Sequence, residues 1–303
     1  MAQLPRNRMI ERLRAGKPVF GGTMHSGDIS SARTYGDSNL DYVMVDLEHE
    51  GFDMPRLGDT LQWMISRRRL AATGEPFPSP TPLVRLPHHG NERISWIASQ
   101  VLDYGALGIV LPYTESADDL AHMVEAISYS RKDAEGRITG ERRVWPKLAM
   151  RYWGYDKFEE YRDMADLWPR NPSGELALIA IVATPKALEN IEEIASVPGL
   201  SGMMFGAKHA FHAFAKTGKI DLEDPDLVHF RNRMLAACQK NGIAAGTSLA
   251  PTPPKGAGGK GMVDTAYLER RIAEGFRVFL TQGNSRPVIG AETGLTEATP
   301  IAV

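Results

Sequence analysis

The sequence predicts an α/β fold of one domain, a (β/α)8 (TIM) barrel, and three observations carry that prediction. Eight short apolar runs rich in Val, Ile, Leu and Phe recur along the chain. Helix-like segments alternate with them, the pattern of parallel strands joined by crossover helices. The length of 303 residues suits one α/β barrel, which takes about 250 residues without insertions.

The runs are Val19–Met24, Tyr42–Leu47, Pro82–Leu86, Ala106–Leu111, Leu176–Val182, Leu200–Phe205, Ile243–Leu249 and Phe276–Thr281. Each is almost continuously apolar, as strands covered on both faces are. Between them, Asn91–Asp103, Ser116–Ser130, Pro185–Ser196 and Asp264–Glu274 carry helical periodicity. Thr184-Pro185 reads as an N-cap with proline at the first helical position, and Val197-Pro198-Gly199 as a stop. A doubly wound sheet shares this alternation. No Gly-x-Gly-x-x-Gly follows an early run, however, and no Gly-x4-Gly-Lys-Ser/Thr occurs. The count of eight therefore selects the barrel.

Three segments fall outside the repeat of this single 1–303 domain. Residues 131–174 form a long insertion, charged and aromatic (Trp145, Tyr152, Trp153, Tyr155, Tyr161, Trp168). Residues 250–261, APTPPKGAGGKG, follow the seventh run and so belong to the C-terminal face, where barrel active sites form. They read as a glycine-hinged lid or as a plain surface loop. Residues 285–303 are an irregular tail.

Composition narrows the function. The chain is 43% hydrophobic with a net charge of −2, its charges of both signs interspersed. The absence of a Lys/Arg block argues against nucleic acid or an anionic membrane as partner. The charged first 20 residues lack the apolar core of a signal peptide, and no run reaches the roughly 20 apolar residues of a membrane span. The expectation is a cytoplasmic globular protein. The one cysteine, Cys238, excludes disulfides within the chain and cysteine-metal clusters, and its helical setting reads as core rather than nucleophile.

The chemistry gathers where runs end. The second ends in Val45-Asp46-Leu47-Glu48-His49-Glu50, and ionisable groups at the C-terminal end of a barrel strand read as catalytic. His49 can exchange a proton near neutral pH; the plain alternative is a charged loop. The third ends in Val84-Arg85-Leu86-Pro87-His88-His89. Arg85 is placed to hold a carboxylate or developing enolate, or else to form an internal salt bridge with Asp46 or Glu48. His88 and His89 carry weaker signals. The sixth ends in Phe205-Gly206-Ala207-Lys208-His209. Small Gly206 and Ala207 let backbone N–H groups face an anionic ligand, with positive charge from Lys208 or His209 beside them.

Together these stretches resemble the HpcH/HpaI aldolase/citrate lyase family of metal-dependent 2-oxo acid aldolases. Asp46-Leu47-Glu48-His49 matches its Asp-Gly-Glu-His signature with leucine for glycine, and Val84-Arg85 its Val-Arg strand. Residues 100–112 (QVLDYGALGIVLP) match its Leu-Asp-x-Gly…Pro block, and 181–190 and 197–206 follow the next two blocks. The resemblance runs from about residue 16 to 285 and implies a barrel of the phosphoenolpyruvate/pyruvate type.

It implies His49 as the base, working with Asp103, here or from a neighbouring subunit. It implies Arg85 binding the pyruvate-like part, and Gly206, Ala207 and His209 holding the substrate carboxylate. A homo-oligomer, trimer or hexamer, is implied as well. The family's divalent metal is held by a Glu and an Asp, and these positions read Ala183 and His209 here. A cofactor Mg²⁺ loses its hard ligands by this change. Mn²⁺ or Zn²⁺ on His209 and Glu48 remains one expectation; Lys208 in the metal's electrostatic role is another.

The reading is thus a carbon–carbon lyase on a 2-oxo or hydroxy acid, with an aromatic substituent suggested by the 131–174 segment. Its alternatives are a non-catalytic carboxylate-binding barrel derived from an aldolase, and a metal-independent lyase or isomerase.

Overall fold

The computed structural model describes residues 7–49, 51–74, 80–87, 94–133, 135–218, 220–249 and 265–281. The 250–261 segment, the 285–303 tail, Glu50, His88 and His89 lie outside the described residues.

Strands β1 (Val19–His25), β2 (Tyr42–Asp46), β3 (Thr81–Arg85) and β4 (Gly108–Leu111) pair in parallel in chain order. Next come β5 (Arg131–Lys132) and β6 (Ile138–Thr139), a separate antiparallel pair, and the short β7 (Leu167–Trp168). The main sheet continues with β8 (Leu176–Val182), β9 (Gly202–Phe205), β10 (Ala244–Leu249) and β11 (Val278–Thr281). Parallel pairing of β4 with β8 and of β11 with β1 closes eight strands into a barrel, and β7 adds to the start of β8. All eight apolar runs of the sequence are strands of this barrel.

Alternation of side chains along the strands sorts the core into two parts. Tyr42, Met44, Leu83, Val110, Ile179, Met204 and Val278 fill the barrel interior. Met9, Ile10 and Leu13 of the helix Arg8–Arg14 join them with Trp168, closing the end where the strands begin. Gly21 makes room for this filling, since a Cβ there would lie 2.3 Å from the Tyr42 ring. Intervening residues such as Val43, Val45, Val84, Ile109 and Leu178 face the helices. The same alternation carries inward-facing Tyr42 and Met44 on to Asp46, and Leu83 on to Arg85, at the other end.

Helices form where their periodicity and caps predict. Thr184 accepts a hydrogen bond from the Ala187 N–H, with Pro185 in the first turn. The expected single helix over 185–196 is two, Pro185–Glu189 and Ile191–Ala195. The break falls at Asn190, whose side-chain amide donates to the Glu115 carbonyl at 2.8 Å.

The insertion corrects one expectation. It follows the helix Ala117–Ile127 and precedes β8, which puts it at the N-terminal end of the barrel, away from the mouth. Trp153, Tyr155 and Tyr161 are buried in its two helices, Lys147–Trp153 and Phe158–Met164, and the turn between them. Each adds about 1.5–3 kcal/mol of burial. These rings are core, and give no reason to expect an aromatic substrate.

Cys238 is buried on the helix Pro225–Lys240, and burial pushes its thiol up to about 12, which suits packing rather than nucleophilic attack. Among the described residues no helix is long and apolar enough to cross a membrane.

Candidate active site

Strand pairing brings the charged groups of the mouth together. Asp46 and Arg85 are register partners at the ends of β2 and β3. Arg85 clamps Asp46 with Nε on Oδ1 at 3.0 Å and Nη2 on Oδ2 at 2.5 Å. Its Nη1 reaches Glu48 Oε2 at 2.9 Å. The salt bridge expected as the plain reading of Arg85 is present, with both carboxylates at once. The hydrogen bonds to Asp46 use two of five guanidinium N–H groups, Glu48 is held as an ion pair, and the Arg85 side chain keeps 12% exposure. Burial pushes the Asp46 carboxyl up, but the hydrogen bonds and charge of Arg85 and the Glu48 N–H hold it below the usual value.

His49 follows on the turn after β2. Its side chain is 52% exposed, and Nε2 lies 3.5 Å from Glu48 Oε2. A carboxylate on that side favours the proton on Nε2 and leaves the Nδ1 lone pair outward. The His209 ring lies near-parallel to it, centroids 6.2 Å apart and planes 11° from parallel.

His209 stands in the first turn of the helix Ala207–Ala213, after β9. Its Nδ1 is 2.5 Å from the Tyr113 hydroxyl, and the Tyr113 ring packs edge-on at 5.1 Å. Burial holds His209 below the ordinary imidazole range, helped by the neighbouring His49, Arg85 and Lys208. Burial and the Glu48 carboxylate push the Tyr113 phenol up against the pull of Arg85. Tyr113 sits just beyond β4 with φ +50°, a backbone region uncommon for a residue with a Cβ. The sequence reading passed over it; an aromatic hydroxyl one residue past the Pro112 that ends an apolar run was the available signal. Asp46 was likewise noted only as a partner.

Gly206 is shaped by close approach. A Cβ there would lie 3.0 Å from the Ala183 methyl and 3.1 Å from Ile181 Cγ2. Ala207 is buried and begins the helix, whose first-turn amides have no intrahelical acceptor. Lys208 is exposed beside them. No hydrogen bond or ion pair among the described residues ties it to the cluster, and its charge acts on His209 through space.

Asp103 is elsewhere. It ends the helix Ser95–Asp103, which returns from the mouth to the start of β4, at the barrel's N-terminal end. There it binds Arg142 Nη2 at 2.9 Å. Arg142 is itself buried over the Tyr129 ring and bonded to the Tyr161 hydroxyl. Burial pushes Asp103 up despite Arg142. It does not meet His49 within one chain.

The donor set does not suit a hard divalent cation. Ala183 offers a methyl, His209 has its Nδ1 engaged by Tyr113, and Glu48 Oε2 is held by a guanidinium. Among the described residues no three His, Cys, Asp or Glu side chains converge as a metal site. Glu48, one of the two residues expected to hold a softer metal, is committed to Arg85.

Comparison with known proteins places this mouth in a family. The family model "HpcH/HpaI aldolase/citrate lyase" matches residues 25–257. The chain belongs to that family. A hydroxypyruvate/pyruvate aldolase of Paraburkholderia phytofirmans is 30% identical over 160 residues, 53% of this chain and 55% of that protein. The match thus spans about half of that relative's length. A HpcH/HpaI aldolase/citrate lyase family protein from Burkholderia cenocepacia superposes with a TM-score of 0.68 at 25% identity, covering 91% of this chain and 93% of that one. A HpcH/HpaI aldolase from Desulfitobacterium hafniense gives 0.69 at 21% identity, with 90% and 89% covered, a likeness of fold.

Proposed function

We propose that this barrel is a carbon–carbon lyase of aldolase type acting on a 2-oxo acid, with His49 as its base. The observation that carries the reading is the Arg85 guanidinium, fixed between Asp46 and Glu48 with His49 beside Glu48. A base and a held cation at one mouth are what enolate chemistry needs.

In the cleavage direction His49 Nδ1 takes the hydroxyl proton of a 4-hydroxy-2-oxo acid. The C3–C4 bond breaks, an aldehyde leaves, and the electron pair becomes the enolate of the 2-oxo acid. The imidazolium then returns its proton to C3. The remaining N–H groups of Arg85 face the oxyanion, and the Gly206–Ala207 backbone holds the carboxylate, with His209 lining the same side of the substrate. Lys208 contributes charge from the rim. Asp103 reaches a His49 only across an interface between copies, so the reading includes a homo-oligomer. The Paraburkholderia relative's name makes pyruvate and hydroxypyruvate the first nucleophiles to try.

The test is incubation of the purified protein with pyruvate or hydroxypyruvate and a panel of small aldehydes, with products followed by mass spectrometry. Condensation in wild type and a drop of about 10²–10⁴ in His49→Ala are expected. Binding of 2-oxo acids by calorimetry without any product would instead make it a carboxylate-binding barrel.

A further inference from the structure

We propose that Tyr113 is a positioning residue that fixes His209 as the tautomer protonated on Nε2, so that this imidazole is a hydrogen-bond donor to the substrate oxyanion. The inference rests on the lyase reading for the identity of the oxyanion, but its structural part stands apart from that reading.

The first observation is the hydroxyl at Nδ1. The hydroxyl lies 2.5 Å from that ring nitrogen, and of the two possible senses we take the one in which the phenol, a stronger acid than a neutral imidazole N–H, donates to the Nδ1 lone pair. A neutral imidazole whose Nδ1 accepts carries its proton on Nε2, which then can only donate. The directions of the two ionisations agree with this neutral pair, Tyr113 held protonated and His209 held unprotonated.

The second observation is the relation to His49. Glu48 Oε2 lies 3.5 Å from His49 Nε2, which favours the proton on that nitrogen and the lone pair on Nδ1. The two near-parallel rings are therefore of opposite sense, one set to take a proton and the other to donate a hydrogen bond. The lone pair and the N–H both lie in the ring planes, so a substrate at the edges of the two stacked rings, not between their faces, can meet base and donor together.

The third is the backbone of Tyr113. A non-glycine residue at φ +50° keeps a less favoured conformation only where its surroundings impose it. Here Thr114, the next residue, is buried and its N–H is tied to the Ile181 carbonyl at 3.1 Å. The turn carrying the phenol is thus anchored to β8 on the wall of the mouth.

In the reaction His209 transfers no proton. As the C3–C4 bond breaks and charge moves onto the C2 oxygen, Nε2–H donates to that oxygen. The donor is neutral, so its strength depends on staying in one tautomer.

The experiment is nitrogen NMR of histidine-labelled full-length protein, with His209 assigned by its loss in His209→Gln. The shifts report directly which ring nitrogen carries the proton. The expected result is protonated Nε2 and bare Nδ1 in wild type, and a mixture of tautomers in Tyr113→Phe. Oxalate, a planar mimic of a 2-oxo acid enolate, is expected to move the Nε2 resonance in wild type. In turnover, Tyr113→Phe should lower kcat by about 10–100-fold, the scale for losing the partner that fixes a histidine's tautomer, with KM little changed. In the His209→Gln background the same substitution should add no further loss. A proton on Nδ1 in wild type, an unmoved Nε2 resonance with saturating oxalate, or full turnover in Tyr113→Phe would each overturn the proposal. Absence of turnover in wild type would sink the lyase reading instead, and the tautomer and oxalate measurements would still decide this one.

Discussion

Arg85 and Asp46 form a two-pronged pair across neighbouring strands, Nε on Oδ1 and Nη2 on Oδ2, with the aspartate buried. Asp46 is held below its ordinary value of 3.8: burial opposes this, and Arg85 outweighs burial. A folded value below the unfolded one means the native state binds fewer protons. The resulting stability is full above about pH 4 and is lost as pH falls through the lowered folded value. In Arg85→Met the two largest lowering causes are gone and burial, the largest cause of all, is opposed only by the Glu48 N–H and His49, so Asp46 should rise above its ordinary value and the sign reverse. Stability then falls as pH rises through the range above 3.8. Urea unfolding from pH 3 to 7 should show the two slopes, and a loss of about 3–5 kcal/mol at pH 7 for breaking a buried pair. Parallel curves for the two proteins would refute the account. Arg85→Lys, which keeps charge but not the fork, should retain part of the stability and lose about 10²–10³ in turnover.

Gly206 gives a second, steric prediction. An added methyl would press on the Ala183 methyl and Ile181 at 3.0 and 3.1 Å, and both belong to β8 and its immediate end. Gly206→Ala should therefore be tolerated with a small shift, while Gly206→Val should cost about 1–3 kcal/mol through overpacking. The same variants should weaken oxalate binding, because the displaced turn carries His209. Calorimetry showing wild-type oxalate affinity in Gly206→Val would remove this turn from the binding site.

The strands were legible because a closed barrel buries both faces of each strand, leaving runs such as Leu176–Val182 with no polar interruption. The mouth was legible for a related reason: Asp46 and Arg85 are the polar residues in otherwise apolar strands, and their inward direction follows from Met44 and Leu83. Less could be read where contacts join distant segments. Tyr113 and His209 are 96 residues apart and neither belongs to a periodic pattern that points at the other. The insertion misled for the opposite reason. Composition marked its rings as unusual, but only the chain path, from the end of one helix to the start of β8, puts them at the closed end. Asp103 fits a motif well, and motif alone does not say which end of the barrel its helix finishes on.

The donor chemistry at the mouth makes a prediction about metal. With Glu48 on Arg85 and Nδ1 of His209 on Tyr113, the described side chains leave no pair of carboxylates for Mg²⁺. Elemental analysis of dialysed wild type and of His209→Ala should find no stoichiometric Mg, Mn or Zn in either. Turnover should survive chelator treatment. One equivalent of metal in wild type, absent from His209→Ala, would show that the site has been rebuilt around imidazole and would reverse this conclusion.

Asp103 and His49 sit at opposite ends of one barrel, so any joint action has to cross between copies, and that has a consequence no single-chain mechanism shares. Asp103→Asn keeps the shape of the side chain and its contact with Arg142, whose buried charge then lacks a full partner. His49→Ala leaves Asp103 untouched. Each variant alone should be nearly inactive if both residues serve one site. Dissociating the two in mild denaturant and letting them reassociate together builds some interfaces in which an intact His49 meets an intact Asp103. Activity should then return to a fraction of wild type, while each variant taken through the same cycle alone should not recover. If the mixture stays as inactive as its parts although light scattering shows it has reassembled, Asp103 has no part in the reaction. Its role is then to hold Arg142 beneath Tyr129 and Tyr161, and Asp103→Asn alone should show a lowered melting temperature at full turnover per folded site.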